Sequence, residues 1–175
     1  MRTVLVVDDE VELRDLVELQ LTHAGFSVCK SSNGQEALEH IKKSNEGFAP
    51  QIDAILCDIN MPIMDGLALL STVRGLGIQT PFVFLTGYAD KAATIQALQL
   101  GAFDFLEKPC QIQMMLTSVQ KAAQVGVALR DLDVQLNKLC DNIQLPKDEL
   151  ELYRKKQKVL LLLRAQNQHK MKAHG

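Results

Sequence analysis

The sequence predicts an α/β fold, a doubly wound sheet of five parallel strands with a C-terminal helical extension. Three observations carry this. Short apolar runs alternate five times with longer amphipathic stretches, the runs lack the polar alternation of a half-exposed strand, and acidic, hydroxyl or basic residues stand just after four of them. Strands joined by crossover helices run parallel, and helices on both faces leave those strands uniformly apolar.

Val4 to Val7 is the first run, β-branched in three of four positions, followed by the amphipathic stretch Val11 to His23. Phe26 to Cys29 precedes Gly34 to Lys43, and Ile52 to Cys57 precedes Gly66 to Arg74. Phe82 to Leu85 leads into Asp90 to Leu100, and Ala102 to Leu106 into a long helical pattern from near Gln111. In doubly wound sheets chemistry collects at the carboxyl ends of the strands, which here carry Asp8-Asp9-Glu10, Asp58, Thr86-Gly87 and Lys108-Pro109.

The 175 residues, 47% hydrophobic and 23% charged, suit one domain plus an appendage. The chain opens directly into Arg2-Thr3-Val4-Leu5 without a secretory pattern, and no apolar run approaches eighteen residues, so a cytoplasmic protein without a membrane span is expected. Cys29, Cys57, Cys110 and Cys140 form no CxxC pair, which argues against a zinc site or a disulfide framework. Residues 1–126 carry 9 Lys/Arg against 15 Asp/Glu, whereas residues 127–175 carry 10 against 6. This split motivates a boundary between a domain at 1–125 and a helical extension at 126–175, although so small an imbalance is more often a solvated helix face than a nucleic-acid footprint.

Asp-Asp-Glu before a helix is, taken alone, an ordinary N-terminal cap, and Asp58 alone could be a strand-end turn residue. Acids after strands one and three, a hydroxyl after strand four and Lys-Pro after strand five are not produced together by independent capping needs. Packed carboxylates repel, and a divalent cation makes them tolerable; Mg²⁺ suits a few hard oxygens while keeping several waters. The cluster therefore predicts a Mg²⁺ site.

These residues resemble the receiver domain of two-component response regulators over roughly residues 1–125. The carriers are Val7-Asp8-Asp9-Glu10, Leu56-Cys57-Asp58-Ile59-Asn60-Met61-Pro62-Ile63-Met64-Asp65-Gly66, Leu85-Thr86-Gly87 and Phe105-Leu106-Glu107-Lys108-Pro109. The resemblance implies a flavodoxin-like strand order 2-1-3-4-5 and makes Asp58 the phosphorylated nucleophile. It places Mg²⁺ on Asp9, Asp58 and the Asn60 carbonyl, with Asp8 acting through a metal-held water. Phosphoryl transfer asks the protein mainly for positioning and neutralisation of oxygens, which Mg²⁺ and the compact ammonium of Lys108 would supply. It further implies a cis Lys108-Pro109 bond, a switch pair of Thr86 and Phe105, and phosphoryl-lifetime tuning by Asn60 and Tyr88. Asp65-Gly66 is expected to shape the loop that presents Asn60.

From Met115 a stripe at alternating spacings of three and four runs through Ser118, Ala122, Val125, Leu129, Leu132, Leu136, Leu139 and Ile143. So narrow and long a stripe predicts an extended helix that pairs with a second copy, the competing reading being packing back on its own domain. Pro146 should interrupt that helix, with Asp148-Glu149 opening another, basic one. A tight turn between two short helices, which a helix-turn-helix module requires, is not discernible.

The expected function is a response regulator. A histidine kinase or phosphotransfer protein would donate to Asp58, and the switched surface or homodimer would act on a protein partner in preference to DNA. The alternative is a DNA-binding transcriptional regulator acting through the basic C-terminal helices. A phosphatase of the haloacid-dehalogenase type also uses a strand-end Asp but needs a second acid two residues on, where this chain has Asn60, so no turnover of external substrates is expected.

Overall fold

In the computed structural model, residues 1–87 and 91–143 are described, with 148–149, 151–153, 155, 157 and 159. Through residue 143, among the described residues, five strands and five helices alternate: β1 (Thr3–Val7), α1 (Val11–His23), β2 (Ser27–Ser31), α2 (Gly34–Asn45), β3 (Ala54–Cys57), α3 (Gly66–Gly75), β4 (Phe82–Thr86), α4 (Lys91–Gln99), β5 (Asp104–Glu107) and α5 (Ile112–Ile143). All strand pairs are parallel, in the order β2-β1-β3-β4-β5.

Side chains of a strand alternate between faces, and each inner strand divides its residues between two cores accordingly. Val4, Val6, Leu56, Val83 and Leu85 pack under α1 and α5 with Val17, Leu21, Met115, Val119 and Ala122. Leu5, Val7, Ile55, Cys57, Phe82 and Phe84 pack under α2, α3 and α4 with Leu38, Ile41, Leu69, Leu70 and Ala97. Buried on both faces, β1, β3 and β4 read as unbroken apolar runs. The edge strands β2 and β5 are only partly buried, so their apolar signal is diluted. That is why β2 extends past Cys29 to Ser31 and β5 begins at Asp104 instead of Ala102.

Two helices start at caps: Asn33 Oδ1 accepts from the Glu36 amide at 2.9 Å and Asp65 Oδ1 from the Ala68 amide at 2.7 Å. Glu36 returns the contact, accepting from the amide and hydroxyl of Ser32 at 2.7 and 2.9 Å.

The extended last helix is observed as one piece through Ile143, continuous across residues 125 and 126. Five residues of its stripe, Met115, Ser118, Ala122, Leu129 and Leu136, are buried within the single chain. Over that length the stripe serves the chain's own fold, because a three-and-four spacing seats a helix on a sheet as well as on a second helix. The break expected at Pro146 falls outside the described residues, as does the structure of most of the basic helix beyond it. Among the described residues no helix is long and apolar enough to cross a membrane.

Candidate functional site

The carboxyl ends of β1, β3, β4 and β5 meet along one edge of the sheet. Asp8 follows β1 and Asp58 follows β3, fixed by its amide donating to the Val7 carbonyl at 2.8 Å. Lys108 follows β5, its amide donating to the Thr86 carbonyl at 2.8 Å, and Thr86 closes β4 wholly buried. Asp8 and Asp58 are 5% and 7% exposed.

Lys108 Nζ lies 2.9 Å from Asp8 Oδ2 and 3.0 Å from Asp58 Oδ2, with Glu10 Oε1 at 3.9 Å. Burial pulls this ammonium's pKa down, but the hydrogen bonds and charges of Asp8 and Asp58 prevail and leave it raised. Asp58 Oδ1 accepts from the Ile59 amide at 2.6 Å and Asp8 Oδ1 from the Glu10 amide at 2.9 Å. Each buried carboxylate is thus held at both oxygens.

Capping does not explain the acids before α1, because Glu10, the residue at its N-cap, makes no side-chain cap hydrogen bond. Asp8, Glu10 and Asp58 instead bring carboxylate oxygens within 4.8 Å of one another. Three carboxylates against one ammonium leave an excess of negative charge and a set of hard oxygens, which fits a divalent cation of the Mg²⁺ class. Asp9 is exposed beside this group, and Asn60 is exposed on the loop after β3.

The third acid, Glu10, was legible as the last of a strand-end triplet, but nothing in the sequence ranks it against Asp9. Arg14, on the first turn of α1, donates from Nη1 to the Asp8 carbonyl and ties down the acid-bearing loop. Gly66 carries more than turn geometry: a Cβ there would lie 2.2 Å from the Asp58 carbonyl oxygen and 3.1 Å from Cys57 Sγ. The start of α3 therefore rests directly on the backbone of Asp58, and the Gly66 amide donates to the Ile59 carbonyl at 2.9 Å.

Cys57, beside Asp58, is fully buried, and burial followed by the Asp58 and Asp8 charges pushes its thiol well above the usual range. It is a packing residue with no thiolate chemistry. Phe105 is half-buried with its ring 6.3 Å from that of Phe84, on the α2–α3–α4 side. The Lys108-Pro109 peptide is cis. Tyr88 lies outside the described residues.

The model of the response regulator receiver domain matches residues 4–120. The chain is 37% identical over 119 residues to the DNA-binding transcriptional regulator NtrC of Escherichia coli K12, covering 68% of this chain and 24% of that protein. It is 31% identical over 157 residues to the transcriptional regulatory protein DltR of Streptococcus agalactiae NEM316, covering 90% of this chain and 66% of that one. The chain thus spans about a quarter of NtrC. Among solved structures, a response regulator receiver domain protein from Clostridium thermocellum aligns with a TM-score of 0.67 at 26% identity, covering 74% of this chain and 99% of its own. The chemotaxis protein CheY4 of Vibrio cholerae aligns with a TM-score of 0.61 at 31% identity, covering 70% and 98%. With its sheet order, its buried pair of acids under a lysine and this match, the chain belongs to the response regulator receiver domain family.

Proposed function

We propose that this protein is a phosphoacceptor switch of a two-component system, in which Asp58 takes a phosphoryl group from a phosphohistidine on a kinase or phosphotransfer protein. One observation carries the reading: a buried Asp58 carboxylate held at a strand end by Lys108 beside a second buried acid. An Asp58 oxygen attacks phosphorus, the P–N bond to the donor breaks, and its imidazole leaves with the electron pair and takes up a proton. Lys108 is placed to neutralise the incoming oxygens, and Thr86 supplies a hydroxyl at the same edge. Mg²⁺ would be held by Asp8, Asp9, Asp58 and the Asn60 carbonyl, with Glu10 within reach, and when bound it supplies further neutralisation of phosphoryl charge.

The added charge draws Thr86 inward and turns Phe105 toward the freed space, altering the face around α4 and β5. Output goes to a protein partner or to a homodimer. Because Met115, Ser118, Ala122, Leu129 and Leu136 of the stripe are buried within the single chain, such a dimer would not pair through these five residues. The protein acts in the cytoplasm and turns over no external substrate. A second reading, a DNA-binding regulator, draws on the printed role of NtrC, and salt-dependent duplex binding by the intact chain would support it. The leading reading is tested by sizing the chain with Mg²⁺ and beryllofluoride, a phosphoryl mimic. A changed surface or association state that Asp58→Asn abolishes is expected; a response surviving in Asp58→Asn would overturn it.

A further inference from the structure

The family match ends at residue 120, but α5 continues as one helix to Ile143. At Gly126 its backbone meets the main chain just before β3: a Cβ there would lie 1.8 Å from the Asp53 carbonyl oxygen and 2.7 Å from its carbon. A residue with a side chain cannot approach so closely. One turn further, Arg130 Nη1 donates to Asp53 Oδ1, while Asp53 Oδ2 accepts from the Thr3 amide at 2.8 Å. The Asp53 amide in turn donates to the Thr3 carbonyl at 2.8 Å. Asp53 is 2% exposed, so this carboxylate depends on these donors in place of water. Gly126, Leu129 and Arg130 share one face of the helix, and Leu129 is buried on it. Asp53 and Asp58 bracket β3, about 17 Å apart along the strand.

We propose that Asp53, Gly126 and Arg130 form a joint that docks the extension of α5 on the amino-terminal edge of the sheet, opposite the phosphoacceptor edge. The occupant of that edge is the chain's own helix. Segment 126–136 is then an arm carried by the strand that ends in Asp58, not a free half of a coiled coil. This joint is independent of the phosphoacceptor reading, since it needs neither metal nor phosphoryl group.

Amide hydrogen exchange of the full-length chain tests it. In Arg130→Ala, amides of residues 127–136 should exchange about tenfold faster or more, while those of β4 and of residues 112–120 keep their protection. Arg130→Lys, which keeps a cation beside Asp53, should recover part of the protection; equal loss in Lys and Ala variants would count against the ion pair. Gly126→Ala should loosen the same segment with Arg130 intact, because the new Cβ would strike the Asp53 main-chain carbonyl. Unchanged exchange of 127–136 in both Arg130→Ala and Gly126→Ala would overturn the joint. So would a uniform loss of protection across the whole sheet in Arg130→Ala, which would make Arg130 a general support of the fold.

Discussion

Gly66→Ala is the smallest change that strikes the site without touching a charged group. The new Cβ would sit 2.2 Å from the Asp58 carbonyl oxygen, more than 1 Å short of the ordinary 3.4 Å contact, and 3.0 Å from Phe84 Cε1. Neither side yields by a rotamer change, because a backbone carbonyl faces a helix start that is itself held by the Gly66 to Ile59 hydrogen bond. Overpacking of this kind costs about 2–3 kcal/mol, and more where main chain meets main chain. For a domain of this size the melting temperature should fall by about 5–10 °C. The relief available is a shift of α3 away from Asp58, and a displacement of about 1 Å at a reacting group costs roughly 100-fold in rate. The assay is phosphorylation by acetyl phosphate with Mg²⁺, followed on a phosphate-affinity gel, beside a thermal melt. Gly75→Ala, where a Cβ meets nothing within 4 Å, is the control and should match the wild type in rate. Wild-type rate and melting temperature in Gly66→Ala would refute the claim that α3 rests on Asp58.

Lys108→Met should leave Asp8 and Asp58 facing each other without their shared counter-charge, and phosphorylation by acetyl phosphate should fall at least about tenfold; an unchanged rate would remove Lys108 from the transfer. Asn33→Ala should lower stability to denaturant by about 1 kcal/mol through loss of the α2 cap, with the phosphorylation rate kept. Glu36 has its pKa lowered, first by the Ser32 amide. Its contribution to stability is therefore full above about pH 4.5, the unfolded value, and fades as pH falls through the lower folded value. Denaturation of Glu36→Gln and wild type across pH 3 to 6 should converge toward the acid end; a gap that widens there would reverse the assignment.

How far the sequence reveals these features depends on how local each feature is. β1, β3 and β4 announce themselves because burial on both faces forces unbroken apolar runs, and the acids and lysine at their ends sit at fixed offsets from those runs. Edge strands β2 and β5 are less legible, since one side of each lacks a neighbouring strand and tolerates Lys30 or Asp104. Asp53 carries no signal of its role: it is the one acid inside the run Ile52 to Cys57, and that role depends on Thr3 and Arg130, fifty and seventy-seven residues away. The α5 stripe was readable as a stripe but not as to what covers it, because a second copy and the chain's own sheet present the same apolar surface. Gly66 read as a turn residue, and only the approach of α3 to Asp58 reveals that its missing side chain makes room for the acceptor.

Whether Asp58 is the acceptor is tested most directly by intact-mass analysis of the chain after incubation with acetyl phosphate and Mg²⁺. A single added phosphoryl group, located to Asp58, not formed when a chelator is present during the incubation and absent from Asp58→Asn, is the expected result. An unmodified wild-type chain, or the same added mass in Asp58→Asn, would contradict it.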